Sequence, residues 1–235
     1  MRILAIDTAT DTATAAVTDD GRLIGECVLN HKKTHSQKLM VLIERMMGDL
    51  ELEISDIDLF AAAEGPGSFT GLRIGIATVK ALAHSVDKPV VGVSTLEGLA
   101  YNLPFADGLI VPIMDARNNQ VFNAAYEWID GKLNEVIAPN ACDINECIER
   151  VSGRKAIFTG DGANVHAELI NQIGAKIAPV NSRLSHAAAI AAAAENKQPI
   201  HYTELVPKYL RLSQAERELA EKKKKQNGVQ LACKL

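Results

Sequence analysis

Residues 1–29 read MRILAIDTATDTATAAVTDDGRLIGECVL and contain three β-prone runs separated by short polar turns. The first run, residues 2–6, and the second, residues 12–17, are rich in Ile, Leu, Ala, Thr and Val. The dipeptide Asp20-Gly21 predicts a hairpin turn, because Asp-Gly readily takes the positive φ that tight turns need. Residues 23–29 then form the return strand. We therefore predict that three strands joined by short turns open the chain.

Strands and helices alternate after this opening. Residues 36–50 carry apolar side chains at three- and four-residue spacing, which predicts a helix with one apolar face. Residues 59–63 predict a short buried strand, and a glycine-rich turn leads from it into a helix at 70–86. A strand at 89–93 and a helix at 94–101 follow. The order β-β-β-α-β-α-β-α is the unit from which actin, Hsp70 and sugar kinases are built, so we predict an α/β, actin/Hsp70-like (ASKHA, ribonuclease-H-like) fold with two lobes.

The stretch 102–108, which contains Pro104, is the candidate boundary between the lobes, since Pro and Gly interrupt regular structure. Beyond it we predict strands at 109–114, 120–128 and 156–159 and helices at 165–173, 185–194 and 213–225. The expected domains are a first lobe at 1–103, a smaller second lobe at 104–206, and a C-terminal helix at 207–235 that returns to the first lobe and carries a lysine run.

The composition of the chain limits the classes of function that it can have. The chain has 235 residues, a net charge of −4 and a pI of about 5.9, which argues against a basic surface that grips nucleic acid by itself. The early carboxylate Asp7 interrupts any signal-peptide core, and no apolar run approaches the roughly 20 residues that span a bilayer. We therefore expect a cytoplasmic protein. The four cysteines lack CxxC and zinc spacing and are expected to be idle thiols. Lys222–Lys225 is either a contact for RNA or a solvated chain end.

Two segments sit where a phosphate-binding fold needs them. One strand ends in Asp7-Thr8, and a later strand ends in a loop that opens a helix and includes Gly65, Gly67, Ser68 and Gly71. Amides at a helix start favour anions, and glycines let a backbone approach closely. The loop lacks the lysine of GxxxxGK[ST], and GxGxxG is absent too. A phosphate- or nucleotide-facing loop is therefore one hypothesis, and a structural role, with Asp7 capping a strand end, is the other.

Four segments carry a resemblance to a known family. They are ILAIDTAT at 3–10, EGPGSFTGLRIG at 64–75, GVSTL at 92–96 and PKYLR at 207–211. Together they resemble the TsaB family, also called YeaZ, and the resemblance runs from residue 1 to about residue 216. The glycine-rich segment is the most specific of the four.

The resemblance implies a role in tRNA modification. TsaB proteins pair with TsaD, an enzyme of the same fold, which forms N6-threonylcarbamoyladenosine (t6A) next to the anticodon of tRNAs reading ANN codons. The chain is then expected to be a non-catalytic partner and activator that forms a heterodimer with a TsaD-type enzyme. A TsaE-type ATPase joins them, ATP or ADP belongs to the complex and not to this chain alone, and tRNA is contacted indirectly.

The resemblance also implies a partner surface on the helices at 35–50 and 69–85. Methionine is a flexible side chain that is common at protein-binding surfaces. Because an exposed apolar patch favours association, a homodimer through the same surface is expected for the isolated chain. The alternative is a helix face directed into the core. The candidate contact residues are Leu39, Met40, Leu42, Ile43, Met46, Met47, Phe69, Leu72, Arg73 and Ile76.

Metal chemistry is not expected. TsaD enzymes carry a His-x-x-x-His pair on one helix, and two histidines four residues apart share a face and reach one ion. Thr95 and Leu99 stand at the corresponding positions here, and Leu cannot ligate. A second pair, His31 and His35, has the same spacing but stands beside two lysines that disfavour a cation.

Two other classes remain as alternatives. An independent ATPase or sugar kinase needs a second phosphate loop, for which Gly160-Asp161-Gly162 is the candidate. A glycoprotease needs a metal or a nucleophile with its base, and the sequence shows neither.

Overall fold

The computed structural model describes residues 1–31 and 35–211, which form two five-stranded sheets. In the first sheet the strand order is β3-β2-β1-β4-β5, with β1, β2 and β3 antiparallel and β4 and β5 parallel to β1. The three opening strands are confirmed. The strands are β1 (Arg2–Asp7), β2 (Thr12–Asp19), β3 (Arg22–Asn30), β4 (Leu59–Gly65) and β5 (Val90–Ser94).

Alternation along β1 builds an apolar layer on each face of this sheet. Leu4 and Ile6 pack in one cluster with helices α1 (His35–Asp49) and α2 (Phe69–Ser85). Ile3 and Ala5 pack in another cluster with the alanine-rich helix α7 (Ala187–Ala194). Successive side chains of a strand point to opposite faces, so a strand covered on both sides is apolar at every position.

The second sheet has the order β10-β9-β6-β7-β8. Strand β8, helix α4 and the two-residue strand β10 were not predicted. Strand β8 is largely exposed and lacks apolar alternation. The predicted helix at 165–173 is instead two short helices that meet at His166. The elements are β6 (Leu109–Asp115), β7 (Gln120–Ile129), β8 (Lys132–Asp143), α4 (Ile144–Val151), β9 (Ala156–Thr159), α5 (Gly162–Val165), α6 (Ala167–Gln172) and β10 (Lys176–Ile177).

Helix α3 (Thr95–Tyr101) joins the two sheets. Its Leu96 and Leu99 pack in a cluster with residues of β6 and β7, including Met114 and Tyr126. On α3, Gly98 leaves room for α7, since a Cβ at this position would lie 2.5 Å from Ile190 Cδ1. The chain thus returns through α7 to the first sheet after completing the second. The lobe boundary at residue 104 stays a prediction.

Within residues 1–31 and 35–211, no helix combines the length and apolarity that a bilayer crossing requires. Cys142 and Cys147 are buried, and Cys27 is partly buried. The predicted helix at 213–225, the run Lys222–Lys225 and Cys233 lie outside the described residues.

Replacing Leu96, which is fully buried between the sheets, tests this packing. We expect Leu96→Ala to lower the free energy of unfolding by about 2–5 kcal/mol, because it removes buried methyl groups and leaves a cavity. Leu23→Ala, at a side chain that is 47% exposed, is the matched control and should cost less than about 1 kcal/mol. Urea denaturation measures both, and equal losses would contradict the assignment.

Candidate functional site

The glycine-rich loop between β4 and α2 packs directly on the turn that follows β1. Ser68 N donates to Ala9 O at 2.7 Å, and Thr8 Oγ1 donates to Gly71 O at 2.7 Å. Ser68 also caps α2, since its Oγ accepts from Gly71 N at 3.2 Å. Two of the amides that an anion would need are therefore already hydrogen-bonded within the chain.

Close backbone approach explains the glycines of this loop. A Cβ at Gly67 would lie 2.5 Å from Ala9 O, and one at Gly71 would lie well inside van der Waals contact with Thr8 O. Gly65 has φ of +125° and would drive a Cβ into the backbone of Lys208. The structure thus brings Thr8, Gly65, Gly67, Ser68 and Gly71 together, and close packing accounts for their spacing. A phosphate- or nucleotide-facing role for this loop stays a prediction.

Asp7 lies at the end of β1 and is 2% exposed. Its Oδ1 accepts from Ala9 N at 2.7 Å, which is the geometry of a strand-end cap. Burial raises the pKa of Asp7 from 3.8 to about 6, against the opposing effects of the Ala9 amide, the Ser185 hydroxyl and His35. This carboxyl therefore titrates near pH 6 in the folded protein.

The candidate second phosphate loop, Gly160-Asp161-Gly162, is also packed internally. Asp161 Oδ1 accepts from Gly162 N at 2.8 Å and from Asp115 N at 3.2 Å. A Cβ at Gly160 would collide with Ile113 O. The loop therefore ties β6 to the start of α5.

The two positions compared with the histidine pair of TsaD lie inside the protein. Thr95 is fully buried and Leu99 is 2% exposed, and Leu99 packs in the apolar cluster between the sheets. His35 Nε2 lies 2.8 Å from Thr10 O, so this ring is held by the backbone after β1. In the described part of the chain, no three His, Cys, Asp or Glu side chains gather as a metal site.

A C-terminal strap, residues 200–211, runs along α2. Ile200 pairs with Val90 at the edge of β5, and Lys80 Nζ donates to the carbonyl oxygens of Thr203 and Leu205 at 3.2 and 3.0 Å. At the far end Arg211 donates to Ala116 O at 2.9 Å, which lies just after β6. The strap therefore contacts both lobes, the one built on the first sheet and the one built on the second.

The strap completes an aromatic–arginine cluster formed by Phe69, Arg73 and Tyr209. The rings of Phe69 and Tyr209 stack with centroids 3.8 Å apart and planes 2° from parallel. Arg73 Nε donates to Tyr209 Oη at 3.1 Å, and its guanidinium lies 5.0 Å from the Phe69 ring centre. Beside them, Lys208 Nζ pairs with the buried Glu64 at 2.7 Å. The segments 64–75 and 207–211 both carry the family resemblance, but no pattern in the sequence indicates that they are in contact.

This chain is similar to known proteins over most of its length. The family model described as "TsaD: tRNA N6-adenosine threonylcarbamoyltransferase" matches residues 23–227. The "tRNA threonylcarbamoyladenosine biosynthesis protein TsaB" of Bacillus subtilis (strain 168) is 33% identical over 229 residues, covering 95% of this chain and 100% of the relative. The chain belongs to the TsaB family.

Solved structures agree with this membership. "YeaZ from Pseudomonas aeruginosa" superposes with a TM-score of 0.74 at 25% identity and covers 89% of this TsaB-family chain and 99% of its own. The activator of the 2-hydroxyisocaproyl-CoA dehydratase from Clostridium difficile gives a TM-score of 0.51 at 12% identity, covering 83% of this chain and 94% of its own, and shows the fold alone. The predicted actin/Hsp70-like fold is confirmed.

The partner surface predicted for a TsaB-family chain needs a correction. Most of its residues are core, because the apolar face of α1 and much of that of α2 lie on the first sheet. Leu42 and Phe69 are partly buried, whereas Met40 and Arg73 are exposed, so these four remain accessible. The buried residues are Leu39, Ile43, Met46, Met47, Leu72 and Ile76.

The packing of the glycine loop can be tested with a matched pair of substitutions. We expect Gly71→Ala to lower the free energy of unfolding by about 1–3 kcal/mol, since its Cβ overlaps the backbone of Thr8. Gly48→Ala, at a helical position with open space around it, should be neutral or stabilise by up to about 1 kcal/mol. Thermal and urea unfolding measure both variants. A neutral Gly71→Ala would show that the loop has room.

The buried carboxyl of Asp7 predicts a pH-dependent gain in stability for Asp7→Asn. A folded pKa raised from 3.8 to about 6 means that ionised Asp7 costs up to about 3 kcal/mol above pH 6 and little at pH 4. Asp7→Asn should therefore be more stable than the wild type at pH 8 and close to it at pH 4, by urea denaturation. The exposed neighbour gives the control Asp11→Asn, which should show no such gain. A less stable Asp7→Asn at pH 8 would contradict the assignment.

Proposed function

We propose that this chain is the non-catalytic partner and activator of a TsaD-type threonylcarbamoyltransferase. Together they form t6A next to the anticodon of tRNAs reading ANN codons. The observation that carries the proposal is the match over nearly the whole chain to a TsaB protein named for threonylcarbamoyladenosine biosynthesis. The match to the TsaD family model supports a partner of the same fold.

The chemistry of the described residues supports a non-catalytic role. Leu99 occupies a position compared with a histidine ligand of TsaD and packs among apolar side chains. An ion there would lose its hydration without gaining a ligand, which is costly. The amides of Ser68 and Gly71 are bonded to Ala9 O and Ser68 Oγ. Activity therefore depends on the partner, and ATP or ADP belongs to the assembled complex.

The partner binds, in this proposal, across α1 and the aromatic–arginine cluster. Met40 is 47% exposed and Val41 is 57% exposed on α1, while Tyr209 is 38% exposed in the strap. Aromatic residues, Met and Arg are the residue types enriched at protein interfaces, and Trp, Tyr and Arg dominate their hot spots. The rings of the cluster are already stacked, so little side-chain entropy is lost on binding.

The other partners in this proposal are those that the resemblance to the TsaB family implies. A TsaE-type ATPase joins the heterodimer in the cytoplasm, and tRNA is held mainly by the enzyme because this chain has a net charge of −4. In the absence of the enzyme, two copies of this chain pair through the same face.

Reconstitution tests the proposal. The full chain is mixed with a purified TsaD-type enzyme, a TsaE-type ATPase, threonylcarbamoyl-adenylate, ATP and unmodified tRNA, and t6A is measured by mass spectrometry of nucleosides. We expect t6A only when this chain and the enzyme are both present, with a complex on size-exclusion chromatography. Formation of t6A or turnover of ATP by this chain alone would refute the non-catalytic role.

Substitutions in the cluster locate the interface. We expect Phe69→Ala and Arg73→Ala each to weaken binding to the TsaD-type enzyme at least about 10-fold in Kd, as hot-spot truncations do. Phe105→Ala is the control, because Phe105 is 96% exposed but lies in the loop after α3. Calorimetry measures the binding, and circular dichroism checks that each variant is folded. Equal Kd values for all three variants would place the interface elsewhere.

A further inference from the structure

Residues 181–188, here called the crossing segment, carry the chain from the second sheet back to the first. At their start, Thr159 Oγ1 donates to Ser182 O at 2.7 Å, and Asn102 Nδ2 donates to Leu184 O at 2.9 Å. Further on, Thr10 Oγ1 lies 3.3 Å from Ser185 Oγ. The segment is thus attached to β9, to the end of α3 and to the turn after β1. These bonds help to hold the two lobes together at the point where the chain crosses between them.

His186 occupies the centre of the crossing segment, and both of its ring nitrogens face acceptors. Nδ1 lies 3.2 Å from Glu26 Oε2, and Nε2 lies 3.1 Å from Asn181 O. A neutral imidazole has one N–H donor, whereas an imidazolium has two. Only the protonated ring can donate to both acceptors at once.

Glu26, on β3, binds the other end of the same segment. Its Oε1 accepts from Ala188 N at 3.0 Å, while Ala187 N donates to Thr14 Oγ1 at 3.2 Å. These amides open α7, where a carboxylate is favourable because unpaired N–H groups and the helix dipole carry positive charge. One carboxylate therefore holds both His186 and the start of α7.

We infer that His186 and Glu26 form a proton-sensitive clamp that fastens the crossing segment, and with it the start of α7, to the first sheet. Loss of the proton leaves one ring nitrogen without a donor, so either Glu26 or Asn181 O loses its bond. Ser185 precedes His186 and its Oγ lies 3.3 Å from Thr10 Oγ1, so release of the clamp also loosens the contact of this segment with the turn after β1.

The charges around His186 favour the protonated ring. Glu26 faces it from β3 at 16% exposure, and its hydrogen bond raises the pKa of His186 above 6.5, against the opposing effect of burial. Burial opposes the ionisation of Glu26, but the bonds from His186 and Ala188 N outweigh it and keep the Glu26 pKa below 4.5. From the short helix Asn181–Arg183, Arg183 is directed to Asn164. Tyr101 and Asn102 of the α3 end line a cavity of about 360 Å³ beside the ring.

The signs of the two shifts define a pH window. His186, with a raised pKa, stabilises the fold fully below pH 6.5, and this contribution is lost as the pH rises through the folded pKa. Glu26, with a lowered pKa, contributes above pH 4.5 and loses this as the pH falls. The clamp is therefore strongest between these two values and opens on the alkaline side.

The test is an NMR titration of the full chain with hydrogen exchange of the Ala187 and Ala188 amides. We expect the His186 pKa above 6.5 in the wild type and lower in Glu26→Gln. Protection factors of the two amides should fall at least 10-fold from pH 6 to pH 8.5. His186→Gln, which cannot carry the charge, should show low protection at both pH values.

His84→Gln is the matched control, since His84 packs against Tyr202 on the strap side of α2 and should leave the pH profile unchanged. A His186 pKa at or below 6.5, or protection of Ala187 and Ala188 that does not depend on pH, would overturn the clamp. Because the wild-type titration alone can give either result, the test does not depend on the folding of the Glu26 variant.

Discussion

The approach of the glycine loop to the turn after β1 is the contact on which the rest of the first lobe depends. Ser68 N and Gly71 O bond to Ala9 O and Thr8 Oγ1, so the start of α2 is fixed to the end of β1 by backbone and short side chains alone. This leaves no room for a Cβ at Gly67 or Gly71. Because α2 is anchored there, its outer flank is placed under the strap, and Phe69 and Arg73 meet Tyr209.

A second constraint joins the lobes. Helix α3 supplies Leu96 and Leu99 to the cluster with the second sheet, and α7 returns from that sheet to cover the first. Part of the hydrophobic core of each lobe is therefore supplied by a segment that is attached to the other lobe. The polar counterpart is the pair of His186 and Glu26, which holds the chain where it crosses. Apolar packing between lobes is indifferent to pH, whereas this polar attachment is not.

Local sequence patterns predicted the strands and helices whose formation depends on residues close together in the sequence. The opening strands, α1, α2 and β4 followed from alternation, helical spacing and the Asp20-Gly21 turn. Strand β8 was missed because an exposed strand need not alternate. The apolar face of α1 was predicted from its spacing. Such a pattern does not show whether the face covers the protein's own sheet or a partner. In the structure Ile43 and Met46 on this face are buried in the core. Contacts between Phe69 and Tyr209, or between Glu26 and His186, join residues far apart in sequence and leave no periodic signal.

The strap has a consequence for synthesis of the chain. Arg73 is made 136 residues before Tyr209, which can bond to Arg73 and stack on Phe69 only after that. A nascent chain on the ribosome therefore lacks the complete aromatic–arginine cluster until the strap has been translated. A chain truncated before the strap therefore cannot display the finished cluster.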